Sequence, residues 1–182
     1  MRQEHRGLPR EGIPSRAVEL QVMGVKIQGF NEMMATLNAR AQRIVENFLM
    51  NLDYLGLQSV RYIRDRTADE SWMDQTGNLR SSIGYIVVRD GEISKSGGFE
   101  RVDGPKRDKS PEDGSAEGRS YAERLAANYP TGYALIVVAG MEYAAYVEAK
   151  ANKDVLAGGE IFLKKEVRKL VRRFSQKYGG KR

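Results

Sequence analysis

The sequence predicts an α+β fold in which a long N-terminal helix and a C-terminal helix pack on a small, mostly antiparallel sheet. Apolar residues recur at helical spacing over about residues 32–55 and again after residue 160, which is typical of amphipathic helices. Two shorter stretches, about 80–90 and 132–140, are alternating or continuously apolar, as strands are. The 182 residues suit one domain, because domains typically run to about 100–200 residues.

The N-terminal part is predicted to be an arm followed by a strand. Residues 1–16 mix Arg, Glu, Gly and Pro without periodicity, which indicates a flexible arm. Residues 17–28 alternate apolar and polar side chains well enough for a first strand, with Gly24 as a bulge. We therefore expect a single domain over residues 17–178 and a short tail over residues 179–182.

A long amphipathic helix over about Glu32–Leu55 has the clearest pattern in the chain. Its apolar residues keep to one stripe over several turns, and they are Met33, Met34, Leu37, Ala41, Ile44, Val45, Phe48, Leu52 and Leu55. The pattern continues past Gly56 to about Arg66. A glycine inside a helix costs about 1 kcal/mol, so a kink and a break at Gly56 both stay open.

Two strands and a long insertion are predicted next. Arg80–Arg89 alternates as a strand does, and one of its faces holds Ile83, Tyr85 and Val87. Gly132–Gly140 is continuously apolar, which favours a central strand covered on both faces. The intervening residues 91–130 are rich in Gly, Ser, Pro and charged residues, a composition that buries too little surface to offset the entropy of ordering. We expect 91–130 to be a long, flexible, low-complexity loop inserted between the two strands.

The final helix, from about Glu160, carries most of the positive charge. Its apolar stripe comprises Leu163, Val167, Leu170, Val171, Phe174 and Tyr178, and Gly179-Gly180 ends it. The formal net charge is +6, and residues 161–182 hold nine Lys or Arg against one acid. Six of these cations are candidates for contact with DNA or an acidic partner: Lys164, Lys165, Arg168, Lys169, Arg172 and Arg173. A solvated helix face, with cations favoured near the C-terminus by the helix dipole, explains the same residues.

The composition argues against an enzyme. There is no cysteine, and the single histidine, His5, lies in the predicted arm, so Cys- or His-based nucleophiles, general bases and zinc sites are not expected. Acidic residues cluster at Asp65, Asp69, Glu70 and Asp74, but they do not match an EF-hand loop, and a solvated acidic loop is the preferred interpretation. We expect no catalytic residue, cofactor or metal. No apolar run approaches the ~20 residues that span a membrane, so no membrane partner is expected.

Two short segments are the most informative part of the sequence. Asp74–Ile83 reads DQTGNLRSSI, and Tyr143–Glu148 reads YAAYVE and follows the second predicted strand. In this order they resemble the "D-x-T-G-N-L-R-x-S-I" and "Y-A-x-Y-V-E" segments of the HK97 gp10-like family of tailed-phage proteins. The matching positions are Asp74, Thr76, Gly77, Asn78, Leu79 and Arg80, then Tyr143, Ala144, Tyr146 and Glu148. Turn chemistry and core packing account for these residues in any fold, and contact with an adjoining subunit is the functional alternative.

The resemblance implies a small structural virion protein located in the neck or tail of a tailed bacteriophage. It would be a head–tail joining or tail-completion component, and it would assemble in the host bacterial cytoplasm. The implied partners are copies of itself in a hexameric or dodecameric ring, the head connector or head-closure protein, and the tail terminator or tail tube protein.

Two other functions stay open from the sequence. The first is a different position in the same particle, as a tail terminator or minor tail protein. The second is a small nucleic-acid-binding protein that uses the basic C-terminal helix to contact the DNA backbone. Nothing in that helix resembles a base-reading motif.

Overall fold

The computed structural model describes residues 29–66, 74–106, 112–151 and 155–179. In chain order the elements are α1 (Phe30–Arg64), α2 (Asn78–Ser81), β1 (Ile83–Arg89), β2 (Glu92–Gly98), α3 (Gly114–Ala126), β3 (Tyr133–Ala139), α4 (Ala144–Ala151) and α5 (Ala157–Tyr178). The predicted α+β class, with long helices near both ends and a small antiparallel sheet, is confirmed.

The chain divides into two compact units, Met1–Leu37 and Asn38–Arg182, and α1 contributes to both. The predicted arm 1–16 and the predicted strand 17–28 lie outside the described residues and stay predictions. Within the first unit, α1 begins with a hydrogen bond from the Met33 N–H to the Gly29 carbonyl oxygen (3.0 Å). Its apolar side chains in this unit lie at i, i+3, i+4 and i+7 and are each between 39% and 50% exposed: Phe30, Met33, Met34 and Leu37.

Helix α1 runs without a break through Gly56, so the predicted helix is confirmed and extends to Arg64. Gly56 is buried, and the ring of Tyr85 occupies the space that a Cβ would need. The Tyr85 hydroxyl donates to the carboxylate of Asp53, which lies one helical turn before Gly56 in α1 (2.7 Å). Burial, together with this carboxylate, raises the pKa of Tyr85 well above its usual value. Gly56 therefore permits a close approach of helix and sheet.

The sheet is antiparallel in the order β2-β1-β3, and β1 lies in the middle with its residues buried from Ile83 to Val88. One face of β1 carries Ile83, Tyr85 and Val87, as predicted, and packs in the core that α1 and α5 share. The other face packs against α3. Strand β3 pairs with β1 from Tyr133 to Ala139. Among the described residues it is an edge strand and not the central strand that the sequence predicted, and most of its side chains are half-buried.

The prediction of a flexible loop over 91–130 is wrong for two parts of that range, Glu92–Gly98 and Gly114–Ala126. The first forms β2 through a two-residue hairpin turn, in which Asp90 and Gly91 have φ of 50° and 85°. Asp-Gly is a strong sequence signal for this kind of turn. The second forms α3, whose first turn is capped by the Asp113 carboxylate accepting from the Ser115 N–H (3.0 Å).

Small residues explain how α3 packs without large apolar side chains. A Cβ on Gly114 would collide with the backbone of Asn78, and one on Gly118 would collide with the backbone of Ser82. Gly140, just after β3, lies directly against Gly118. With Ala122 fully buried as well, the helix touches the rest of the fold backbone to backbone. The prediction from composition therefore underestimated the surface that α3 buries.

Helix α5 completes the layer that covers the opposite face of the sheet. Leu170 is buried, while Leu163, Val167 and Phe174 pack at the margin of the same core, as the predicted stripe requires. Val171 and Tyr178 of that stripe are exposed instead. The Phe48 ring of α1 lies 5.3 Å from that of Phe174, edge to face. In the part of the chain that the structure describes, no helix combines the length and apolarity needed to cross a membrane.

Candidate functional site

The first motif segment folds as a capped turn. The Asp74 carboxylate accepts from two backbone N–H groups, those of Gly77 (2.9 Å) and Arg80 (2.7 Å). Gly77 has φ +83°, and a side chain there would strike the Val102 carbonyl, so glycine is required on both counts. The predicted turn is confirmed, but the short helix α2 follows it, and the strand begins at Ile83 and not at Arg80.

Arg80 fastens this turn to the end of α1. Its guanidinium donates to the carbonyl oxygen of Arg64 (2.5 Å), which the helix leaves without an internal partner at its C-terminus, and to that of Arg66 (3.1 Å) just beyond the helix. In return, Arg64 donates to the carbonyl oxygens of Arg80 (2.9 Å) and Glu100 (2.9 Å). Burial lowers the pKa of Arg64, and the Glu100 carboxylate opposes that shift. The two arginines therefore lock two segments of backbone together.

Two buried serines extend the connections to the loop after β2 and to the end of β3. The Ser81 hydroxyl donates to the Gly77 carbonyl oxygen (2.6 Å) and accepts from the Val102 N–H (2.8 Å). The Ser82 hydroxyl accepts from the Gly140 N–H (3.1 Å). Residues 74–82 thus form a junction, which we call the motif junction, where α1, α3, β3 and the loop after β2 meet.

The second motif segment contacts the first. Burial raises the pKa of the Tyr143 phenol above its usual value, and the nearby carboxylates of Asp74 and Glu112 raise it further, while Thr76 opposes the shift. Two segments that are far apart in sequence are therefore neighbours in the fold, through a tyrosine that is still 37% exposed.

The remaining motif residues divide between core and surface. Asn78 and Leu79 are 1% and 2% exposed, and Ala144 is also buried, so their side chains serve the interior. Tyr146 is 58% exposed. Glu148 belongs to α4, but its side chain lies outside the described part. The structural interpretation therefore accounts for most of the motif, and among its described side chains Tyr143 and Tyr146 are the exposed ones.

The basic residues of α5 also divide into two groups. Lys164 is paired with Glu160, and Lys169 with Glu166 (2.7 Å). The other four predicted cations are exposed and form no ion pair with any residue that the structure describes: Lys165, Arg168, Arg172 and Arg173. Of these, Lys165, Arg168 and Arg172 lie at i, i+3 and i+7 and so share one face of the helix.

The predicted acidic cluster does not form a metal site in the described residues. Asp69 and Glu70 lie outside them, and the Asp74 carboxylate is used by the backbone of its own turn. No group of three or more His, Cys, Asp or Glu side chains suited to a metal ion is found in residues 29–66, 74–106, 112–151 and 155–179. The arrangement that the motif residues form is one that positions backbone segments.

Sequence reasoning missed two surface features. The sequence predicts that Met33, Met34 and Leu37 face the core, because an exposed stripe has the same spacing as a buried one. The position of β3 at the edge of the described sheet was not predicted, because its continuous apolar run resembles that of a central strand.

The comparison of this chain with known families, curated proteins and solved structures found no match. The resemblance to the phage family therefore still depends on the two motif segments.

Proposed function

We propose that this chain is a structural component of a tailed-phage virion, a neck or tail-completion protein that joins head and tail as a ring of identical copies. The ordered pair of motif segments supports the phage assignment. The observation that carries self-assembly is the apolar stripe Phe30, Met33, Met34 and Leu37, left between 39% and 50% exposed.

The size of the uncovered surface supports association. Burying a large apolar side chain stabilises by roughly 1.5–3 kcal/mol, so covering four half-exposed side chains contributes several kcal/mol to an assembly. Contiguous apolar patches on soluble proteins commonly mark interaction sites. The stripe lies in the unit Met1–Leu37, while the motif junction belongs to Asn38–Arg182.

In this proposal the two units have different tasks. The unit Asn38–Arg182 supplies a fixed shape, because the hydrogen bonds of the motif junction connect its helices and strands at many points. The N-terminal unit supplies contacts to neighbouring copies, and the ring, a hexamer or dodecamer, docks between the head connector or head-closure protein and the tail terminator or tail tube.

The direct test is the position of the chain in the particle. Gold-labelled antibody against the purified protein should mark the head–tail junction of virions in electron micrographs. Deleting the gene from the phage genome that encodes it should leave DNA-filled heads and complete tails unjoined. Label on the capsid surface, or joined particles after deletion, contradicts the proposal.

A tail terminator or minor tail protein is distinguished in the same experiment. Loss of a terminator gives tails of uncontrolled length, because that protein stops tube growth. Loss of a minor tail component gives tails that lack a substructure. Unjoined heads with tails of normal length favour the joining role over both.

A second candidate function is binding of DNA through its phosphate backbone. It is favoured by four exposed cations of α5 that form no ion pair with any described residue: Lys165, Arg168, Arg172 and Arg173. Each phosphate contact steepens the logarithmic salt dependence of the binding constant by about 0.9. We predict that the double substitution Arg168→Ala and Arg172→Ala lowers DNA affinity about tenfold and flattens this slope by about two. The measurement is fluorescence anisotropy with a labelled duplex over a salt series.

The matched control removes the same number of cations from the same helix. Lys164→Ala with Lys169→Ala deletes the two lysines that are paired with Glu160 and Glu166, and it should change affinity much less. Equal effects of the two double variants indicate a nonspecific response to net charge. Absence of DNA binding in the unmodified protein eliminates this candidate.

A further inference from the structure

A cavity between α1 and α5 combines basic residues with side-chain amides. It has a volume of about 290 Å³ and lies where the C-terminal part of α5 packs against the middle of α1. Two asparagines of α1 line it, together with two basic and two aromatic residues of α5: Asn47, Asn51, Arg173, Lys177, Phe174 and Tyr178. Among the described residues that line it, none is acidic. The cavity therefore offers positive charge and hydrogen-bond donors without a carboxylate to neutralise them.

Aromatic rings fix the side of the cavity that α5 forms. Phe174 is half-buried, and its ring lies 5.3 Å from that of Phe48 in α1 and 5.4 Å from that of Tyr178. Phe48 itself packs at the margin of the core. This wall is therefore in place before any ligand binds, as is usual for ligand sites.

The two basic residues of the cavity repel each other. Arg173 and Lys177 lie at i and i+4 on one helix, a spacing at which like charges destabilise. Neither forms an ion pair with a residue that the structure describes, whereas two earlier lysines of α5 are paired with glutamates. The Lys177 ammonium lies 5.2 Å from the centroid of the Tyr178 ring, a contact that does not neutralise its charge. An anion between the two cations removes the repulsion.

The dipole of α5 accounts for only half of this arrangement. It favours cations near the C-terminus of the helix, but it has no bearing on the residues of α1 across the cavity. There, the Asn51 amide donates to the Asn47 carbonyl oxygen (2.7 Å), which leaves its second N–H for another acceptor. Cations together with neutral N–H donors are the groups that bind phosphate oxygens in proteins.

We propose that this cavity binds a phosphate group. The phosphate lies between Arg173 and Lys177, and the asparagine amides donate to its remaining oxygens. The aromatic wall contacts the organic part of a phosphate ester. A free nucleotide and the DNA backbone both carry such a group. The site shares Arg173 with the cations that favour DNA binding, and it shares no residue with the exposed stripe of α1.

The test measures the binding of three labelled probes to the full chain by equilibrium dialysis: inorganic phosphate, the nucleotide dTMP and a short DNA duplex. The first variant, Arg173→Gln with Lys177→Gln, removes both charges and keeps side chains that can form hydrogen bonds. Its control, Lys164→Gln with Lys169→Gln, removes the same number of charges from the two paired lysines of the same helix.

A second variant leaves the cations in place. Asn51→Asp puts a carboxylate in the cavity, where it repels the phosphate and competes with it for Arg173 and Lys177. Its control, Asn38→Asp, makes the same change at an exposed position of α1. Far-UV circular dichroism and the urea midpoint verify that each variant is folded.

We expect dTMP to bind the unmodified protein. Each cavity variant should weaken that binding about tenfold or more, and each control should change it less than about twofold. Inorganic phosphate should bind more weakly than dTMP, because it makes no contact with the aromatic wall. If only the duplex binds, and the cavity variants weaken it in the same way, the DNA backbone supplies the phosphate and the inference holds for that source.

Three results overturn the inference. The first is that none of the three probes binds the unmodified protein. The second is an equal loss of binding in the cavity variants and in their controls, which indicates a response to net charge. The third is unchanged binding in either cavity variant, which means that the phosphate binds at another surface. The location of the protein in the virion is unaffected by all three.

Discussion

The motif junction and the apolar surfaces of this protein differ in whether the chain satisfies its own groups. In the junction, around residues 74–82, carboxylate, guanidinium and hydroxyl groups bond to backbone groups of the same chain. Along the stripe from Phe30 to Leu37, apolar side chains are 39% to 50% exposed, and the outer edge of β3 has no partner strand in the described residues. The segments with the most recognisable sequence build the fold, and the exposed apolar stripe, which carries no motif, is the surface that we propose for partners.

The largest effect on the fold should come from adding one methyl group at a close backbone contact of α3. Gly118→Ala places a Cβ against the Ser82 carbonyl and beside Gly140, so backbone must move on both sides. We expect a loss of about 3 kcal/mol in the free energy of unfolding, measured by urea denaturation. Glu123→Ala, at an exposed position of the same helix, is the control and should change stability by less than about 0.5 kcal/mol.

A smaller loss is expected from Asp74→Asn, which keeps the size of the side chain and removes its charge. One of its two acceptor atoms becomes an NH₂ group facing the N–H of Gly77 or Arg80, so at least one hydrogen bond is lost. We expect about 2 kcal/mol of destabilisation in the same urea titration.

The control is Asp103→Asn, which weakens an exposed pair with Arg101 (3.0 Å) and should cost less than about 1 kcal/mol. Equal effects of the two substitutions would show that Asp74 contributes no more than a surface acid does. In that case the hydrogen bonds of Asp74 would not make the motif junction more stable than an exposed surface pair does.

The smallest effect is expected from Tyr85→Phe, which removes the hydrogen bond to Asp53 (2.7 Å) and leaves the ring packed on Gly56. We expect a loss of about 1 kcal/mol near neutral pH. The pKa of Tyr85 is raised in the folded state, so the unfolded chain releases this proton first. Its contribution is therefore complete below the unfolded pKa of about 10 and declines as pH rises above that value.

The measurement is the urea midpoint of both proteins at several pH values from about 8 to 11. The unmodified protein should lose stability more steeply than Tyr85→Phe above about pH 10. Tyr143 also has a raised pKa and remains in both proteins, so it contributes equally to the two curves. Parallel curves would contradict the assigned hydrogen bond.

Part of this fold could be predicted from the sequence and part could not. The stripes of α1 and α5, the strands β1 and β3 and the turn at Gly77 follow from local spacing and from turn chemistry. Helix α3 did not, because its packing depends on Gly114 and Gly118 touching backbone from distant segments. The reciprocal bonds between Arg64 and Arg80 also required the tertiary structure, since nothing local pairs two arginines.

The turn that leads into β2 is a different case, because its signal was present. Asp90-Gly91 is a common hairpin dipeptide with the positive φ values that such a turn needs. The hairpin signal was given less weight than the polar, Gly- and Ser-rich composition of the residues that follow, which predicted a loop. For the apolar surfaces no local signal exists, because spacing reveals that a face is apolar and not whether the same chain covers it.

The measurement that tests the central claim most directly is the mass of the purified protein in solution, by light scattering over a concentration series. If the apolar surfaces serve assembly, a discrete species should appear at a fixed multiple of 20.5 kDa and should persist in about 1 M salt, which screens charge but does not weaken apolar contacts. A mass of 20.5 kDa at every concentration would contradict the account.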